Sequence, residues 1–227
     1  DVQSATAQRR QRLAQRGGQD RGGVSVDYLE LLDWRRQMAD LFSEVRRRGP
    51  SVDTLGWFRQ QKDELFRTHP QSPLPPTSRA TFKGLAYWPY DPEGCVGARF
   101  VPEMPSPSLS HFDGRGTAPE LLAIGRLEFT YRGTPCSLGV FWMAGYGGGL
   151  FVPFRDASSG TETYGGGRYL TDSIKSADLG SDFRSGTVVL DFNYAYHPSC
   201  AYDAAWSCPL APTSNHLAVA VRAGERS

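Results

Sequence analysis

At 227 residues, with 25 Gly, 16 Pro, 39% hydrophobic and 12% aromatic content, the chain can bury one sizeable core but is too turn-rich for a helical bundle. Its formal net charge of +1 lacks the concentrated basic face of a nucleic-acid binder, and no apolar run reaches the roughly 20 residues that cross a bilayer. Four cysteines are too few for a disulfide scaffold of this length.

The charge is unevenly spread, with 13 Lys/Arg against 10 Asp/Glu in residues 1–70 and 12 against 14 in 71–227. No signal-peptide apolar region and no Asn-x-Ser/Thr acceptor occurs, which points to a cytoplasmic bacterial protein.

Residues 1–23 carry five Arg and almost no large apolar side chain. Burial cannot offset their ordering entropy, so a mobile basic tail is expected. From Ser25 to Arg48 the pattern is helical, with Leu31, Trp34, Met38, Leu41 and Val45 in one stripe. Arg46, Arg47 and Arg48 suit the negative end of the helix dipole, and Gly49-Pro50 stops the helix. Ser51 caps a second helix whose inner face is Leu55, Phe58, Lys62, Leu65 and Phe66, and Pro70 ends it. Residues 24–70 therefore form a helical hairpin that covers a face of the next domain, with Trp34 and Trp57 as packing residues. Association of copies through these helices is an accompanying expectation.

Residues 71–80, with Gln71-Ser-Pro-Leu-Pro-Pro, read as a stiff extended connector. Over 81–227 the period changes to alternating. Strands are expected at Leu85–Pro92, Ile124–Tyr131, Ser137–Trp142, Gly149–Phe154, Thr187–Asn193 and His216–Arg222, with a hairpin turn at Arg132-Gly133. No long helical pattern interrupts this half, so parallel crossovers are excluded. The fold class is mainly β (α+β): an antiparallel β-barrel- or sandwich-like domain preceded by the helical hairpin.

Chemistry-bearing residues concentrate between Gly145 and Cys208. Gly145-Tyr-Gly-Gly-Gly is not a phosphate loop, because no Gly-Lys-Ser/Thr follows and a strand stands where a helix is required. It reads as a turn or bulge. In Thr163-Tyr-Gly-Gly-Gly-Arg-Tyr, the glycines admit close backbone approach and Arg168 emerges beside aromatic rings, a receptor for carboxylate or phosphate. The structural alternative pairs Arg168 with Asp191 or Glu225. Asp191-Phe-Asn places Asp191 and Asn193 on one face of a strand. The apolar run before Asp191 makes a paired carboxylate, or a buried general base, the two readings there.

His197, Cys200, Cys208 and His216 are the only cluster of soft ligands. Their spacing of seven departs from the short Cys pairs of structural zinc sites. Zinc is the minority alternative, no cofactor is predicted, and two buried thiols packing a loop lead over a Cys200–Cys208 disulfide or a Cys200 nucleophile beside His197. No nucleophile elbow, His-Glu-x-x-His or EF-hand loop is present.

The same residues carry a resemblance. Trp57 to Pro70 with Lys62-Asp-Glu-Leu-Phe-Arg-x-His-Pro, Gly84-Leu-x-Tyr-Trp-Pro-Tyr-Asp-Pro, Pro153-Phe-Arg-Asp, Tyr164-Gly-Gly-Gly-Arg-Tyr, Asp191-Phe-Asn-x-Ala-Tyr-x-Pro-x-Cys-Ala-Tyr, Trp206-x-Cys-Pro, Asn215-x-Leu and Ala223-Gly-Glu resemble the bacterial and archaeal family called domain of unknown function 1684. The resemblance spans about residues 28–226 and is to the form of high-GC actinobacteria. It implies no established activity. It places Tyr164, Arg168, Asp191, Asn193, Cys200, Cys208, Asn215 and Glu225 in the family pattern. Position 197 is usually Asn and position 216 usually Arg in that form, so a His-based zinc site or His197–Cys200 pair is not implied for the family.

The expected function is a small-molecule enzyme acting on an anionic or carbonyl-bearing metabolite by acid/base chemistry. Asp191, Tyr164 and Cys200 are its catalytic candidates, and Arg168, Asn193, Tyr196 and Glu225 its substrate-binding candidates. The rival expectation is a non-catalytic barrel that binds a small ligand, and a third is a polar cluster that only braces the barrel. Neither nucleic acid nor membrane is expected as a partner.

Overall fold

A computed structural model describes residues 28–108 and 120–227. The expected tail at 1–23 and the Ser25 cap lie outside the described residues. Helix α1 (Tyr28–Arg48) ends with the Gly49 amide donating to the Val45 carbonyl at 3.0 Å while Gly49 takes φ +78. Helix α2 (Val52–Thr68) begins where Ser51 Oγ accepts from the Thr54 amide at 3.0 Å, a cap worth about 1 kcal/mol. His69 is extended, as the residue before Pro70 must be. The buried face of α2 contains Leu55, Phe58, Leu65 and Phe66, and with them Lys62.

The connector is not an extended arm. It coils through one turn of helix, α3 (Pro76–Arg79), because Arg79 donates to the carbonyls of His69, Pro70, Ser72 and Leu74 at 2.9–3.3 Å. The following Leu85–Asp91 segment is irregular instead of a strand; Tyr87 bridges to Glu225, and the Asp91 carboxylate accepts from Tyr131 and Arg132.

Six strands follow among the described residues: β1 (Cys95–Ser108), β2 (Leu121–Tyr131), β3 (Thr134–Met143), β4 (Gly149–Phe154), β5 (Arg168–Asp172) and β6 (Thr187–Asp191). They form one curled, fully antiparallel half-barrel in the order β5-β4-β3-β2-β1-β6. β1 carries prolines at 102, 105 and 107, and its register shifts between Pro102 and Ser106. Those prolines remove ladder donors, which is why no strand was expected there. The β2–β3 turn is Arg132-Gly133 with φ of +48 and +78, the mirror-image turn that matches strand twist.

The inner face of the sheet packs Leu127, Leu138, Val152, Leu170 and Val188 around Phe192. The half-barrel is filled by the end of the chain, where Leu217, Val221 and Ala223 join the same core. This segment was expected as a strand over His216–Arg222. It runs irregularly, tied by the Leu217 amide to the Arg155 carbonyl and by Asn215, whose side chain bonds Gly139 and the Pro153 carbonyl. Among the described residues no helix is long and apolar enough to cross a membrane.

Candidate functional site

A cavity of about 320 Å³ lies between the helical hairpin and the end of the half-barrel. One wall is apolar: Leu31, Trp34, Met38 and Phe42 from α1 and Phe66 from α2. Trp34, expected only to pack, stacks with Phe66 and His69 at ring separations of 5.6 and 5.3 Å and forms part of this wall. The opposite wall is the segment from Tyr196 to Cys208, with His197, Ser199, Tyr202 and Trp206. That segment is hung on the β5 edge by a reciprocal pair of backbone bonds between Tyr169 and Tyr196, 2.9 and 3.2 Å long.

Behind the lining lies Glu225, 2% exposed, which ties three lining residues together. Its Oε1 accepts from Lys62 Nζ at 2.5 Å, and its Oε2 accepts from the His197 amide at 2.7 Å and from the Tyr202 hydroxyl. Burial pushes the Glu225 pKa up, but the nearby Lys62 ammonium, His197 and the hydrogen bonds outweigh it and hold the carboxyl below its ordinary range. Glycine is needed just before it. Gly224 has φ +77, and a Cβ there would strike the Ala195 and Phe192 carbonyl oxygens. Lys62 Nζ also lies over the rings of Tyr196 and Phe66, 4.9 and 5.4 Å from their centroids. Lys62, Tyr196, His197 and Tyr202 all line the cavity.

His197 is the one side chain here with a pKa pushed into the acid range, to about 4. Burial is the main cause; Arg168 and Lys62 add to it and Glu225 opposes it. The imidazole is neutral at pH 7, and its Nε2 accepts from the Tyr164 amide at 3.2 Å, which assigns the ring proton to Nδ1. Nδ1 lies 3.8 Å from Glu225 Oε2.

Of the site candidates singled out from sequence, Tyr196 lines this cavity, and Glu225 lies behind the lining, bonded to Lys62, His197 and Tyr202. Tyr164 and Cys200 are brought together nearby, the Tyr164 hydroxyl 3.6 Å from Cys200 Sγ. Arg168 is elsewhere, inside the half-barrel and 1% exposed. Its Nη2 donates to Asp156 Oδ2 and the Val221 carbonyl, both at 2.7 Å, and its Nη1 to the carbonyls of Ala223 and Glu225 at 2.5 and 3.0 Å. Its carboxylate partner is thus Asp156, neither Asp191 nor the Glu225 side chain. With those donors spent and no cavity beside it among those at 196–208 and at Asp191, Arg168 clasps the end of the chain.

Asp191 and Asn193 do not share a strand face. β6 ends at Asp191, whose Oδ1 accepts from the Asn193 amide and side chain at 2.9 Å and starts a 3-10 turn over Phe192–Tyr194. Asn193 then pairs with the backbone of Asp91, its Oδ1 accepting at 2.8 Å and its Nδ2 donating at 2.8 Å. Burial raises the Asp191 pKa against these bonds. Asp191 lines a second cavity of about 290 Å³ beside Cys95, Tyr194 and the α1 terminus, separate from the first.

Among the described residues no three His, Cys, Asp or Glu side chains are grouped to hold a metal ion. His216 is exposed and bridged to Arg155, whereas His197 is buried. The four cysteines carry no disulfide among the described residues.

Sequence reasoning missed Lys62, Tyr202 and Ser199 as site residues. Lys62 had a visible signal: a lysine at an inner-face position between Phe58 and Phe66 must find a buried partner.

A curled antiparallel half-barrel, plugged by its own chain end and roofed by a helical hairpin over an ion-paired pocket, is the class of protein defined by these features. The model of the family described as protein of unknown function (DUF1684) matches residues 80–226, and the chain belongs to that family. It is similar to the solution NMR structure of an uncharacterized protein from Haloarcula marismortui, with 37% identity, a TM-score of 0.55, and coverage of 77% of this chain and 93% of that one. No curated protein matches.

Proposed function

We propose that the chain binds a small ligand with an apolar body and an anionic or carbonyl group in the cavity between the hairpin and the half-barrel. The observation that carries this reading is the wall composition: aliphatic and aromatic side chains opposite a few fixed polar groups, among them Lys62, which the buried Glu225 holds from behind. A cavity of about 320 Å³ falls at the small end of the range for ligand pockets. Cytoplasmic residence and association of copies through the N-terminal helices, both expected from the sequence, stay with this proposal.

The second reading is acid/base catalysis in the same cavity. It is favoured by one observation: Lys62 and Tyr202 both line the cavity and both donate to the one Glu225 carboxylate. That arrangement lets a proton given to a ligand by one donor be replaced from the other through the shared carboxylate. The His197 nitrogen able to act as a base is already occupied by the Tyr164 amide, so His197 positions the wall in this reading.

A thermal-shift screen of small metabolites, with turnover assays on each hit, tests both. Saturable stabilisation is expected in the native chain and lost in Met38→Trp, which fills the cavity without touching the ion pair. Stabilisation that survives Met38→Trp would place the ligand elsewhere. Product formation that disappears in Tyr202→Phe, with binding retained, would select the catalytic reading.

A further inference from the structure

The charged side chains that line this cavity are all cations. Its lining includes Arg35 from α1, Lys62 from α2 and Lys175 from the 3-10 turn after β5, and no Asp or Glu among the described residues. Lys62 is neutralised by Glu225. The other two cations are not matched so closely. Arg35 is exposed and has no ion pair among the described residues. Lys175 is 49% exposed, with Nζ 3.8 Å from Asp172 Oδ2, too far for a good hydrogen bond. Both are exposed while lining the cavity, so they stand at its mouth, one on each wall. Behind them the wall is Leu31, Trp34, Met38 and Phe42.

Resting on the pocket reading above, we infer that the ligand is an amphiphilic monoanion, a carboxylate on an aliphatic or aryl-alkyl body. Its carboxylate is held at the mouth between Arg35 and Lys175, and its body lies against α1. The cavity volume sets the size: 320 Å³ at about 30 Å³ per non-hydrogen atom admits about ten such atoms. The two mouth cations reject an amine of the same shape and leave a neutral amide bound more weakly. Arg35 belongs to the hairpin and Lys175 to the barrel domain, so the ligand's head group joins the two.

Octanoate, octanamide and octylamine, of nearly equal size, are the probes, with dissociation constants measured by calorimetry. Octanoate is expected to bind on the order of tenfold tighter than octanamide, the scale of two solvent-exposed charge contacts, with octylamine weakest and the preference shrinking as salt is raised. In the double variant Arg35→Glu/Lys175→Glu the order of octanoate and octylamine reverses while octanamide changes by less than about threefold, within reach of the loss of nonspecific contacts. Equal affinity for octanoate and octanamide would overturn the anion assignment and leave the pocket reading standing. An octanoate preference unchanged in the double variant would overturn the placement at Arg35 and Lys175. If none of the three binds, the pocket reading itself fails, and this inference with it.

Discussion

The Lys62 ammonium and the Glu225 carboxylate, 163 positions apart in sequence, meet at 2.5 Å with side chains only 4% and 2% exposed. This pair fastens the N-terminal hairpin to the last residues of the chain, at the base of the candidate site. Removing one partner leaves an uncompensated buried charge, which costs about 3–5 kcal/mol. Lys62→Met is expected to lose that much, read from urea unfolding midpoints. Adding Glu225→Gln to Lys62→Met recovers part of the loss, because the amide no longer buries a charge. A Lys62→Met variant within about 1 kcal/mol of the native chain would show that the pair does not fasten the two regions.

Arg168 predicts a different outcome from that of a ligand receptor. Its guanidinium bonds Asp156 and the carbonyls of Val221, Ala223 and Glu225, so Arg168→Met is expected to cost about 3–5 kcal/mol. Amide exchange should accelerate first in residues 221–225. Ligand affinity per folded molecule should stay unchanged. A variant that folds normally but loses only ligand binding would restore the receptor role.

His197 gives the protein a pH dependence whose sign follows from its neutral burial. Its folded pKa, about 4, lies below the ordinary 6.5, so between those values the unfolded chain binds the additional proton. Stability from this group is complete above pH 6.5 and declines as the pH falls towards 4, by roughly 3 kcal/mol in total. Glu225, whose folded pKa is depressed, loses stability in the same direction but only below the ordinary carboxylate range. Melting temperatures of the native chain and of His197→Asn between pH 4 and 7 separate the two. The native curve should fall through that window, and the variant should be flatter down to about pH 5.

Asn193, 2% exposed, makes two hydrogen bonds with the backbone of Asp91. Asn193→Ala should cost about 2–3 kcal/mol. Asn193→Asp should cost more, since it sets a second carboxylate beside Asp191 and turns an acceptor towards the Asp91 carbonyl. Chemical denaturation of both variants checks the order, and an Asp variant as stable as the Ala variant would contradict it.

The parts of this fold that were legible in the sequence are those set by local chemistry. Ser51, Gly49 and Pro70 delimit the helices as their capping and backbone preferences require, alternating residues mark β2 and β3, and a continuous apolar run marks β4. β1 was hidden by its prolines, and the apparent strands at Leu85 and His216 are apolar segments that pack on the sheet without joining its ladder. For the site, Glu225 was marked as a possible partner of Arg168 and by the family pattern, and Tyr196 by the Asp191-Phe-Asn-x-Ala-Tyr motif. Their partner Lys62 belongs to a helix far away in sequence, and no periodicity reveals which distant charge will meet which. A bracing Arg168 was one of the two readings, but its partners were not legible: the carboxylate is Asp156, and the other three acceptors are main-chain carbonyls, which carry no residue signature.

The plug formed by Leu217, Val221 and Ala223 has a consequence for biosynthesis. A ribosome releases the chain from its N-terminus, yet the inner face of the half-barrel stays uncovered, and Arg168 and Lys62 without their acceptors, until residues 217–225 have been made. The hairpin and sheet therefore cannot reach their final packing until that later segment has emerged, and such exposed intermediates are where aggregation begins. The packing of the hairpin and sheet thus waits for a segment synthesised after both.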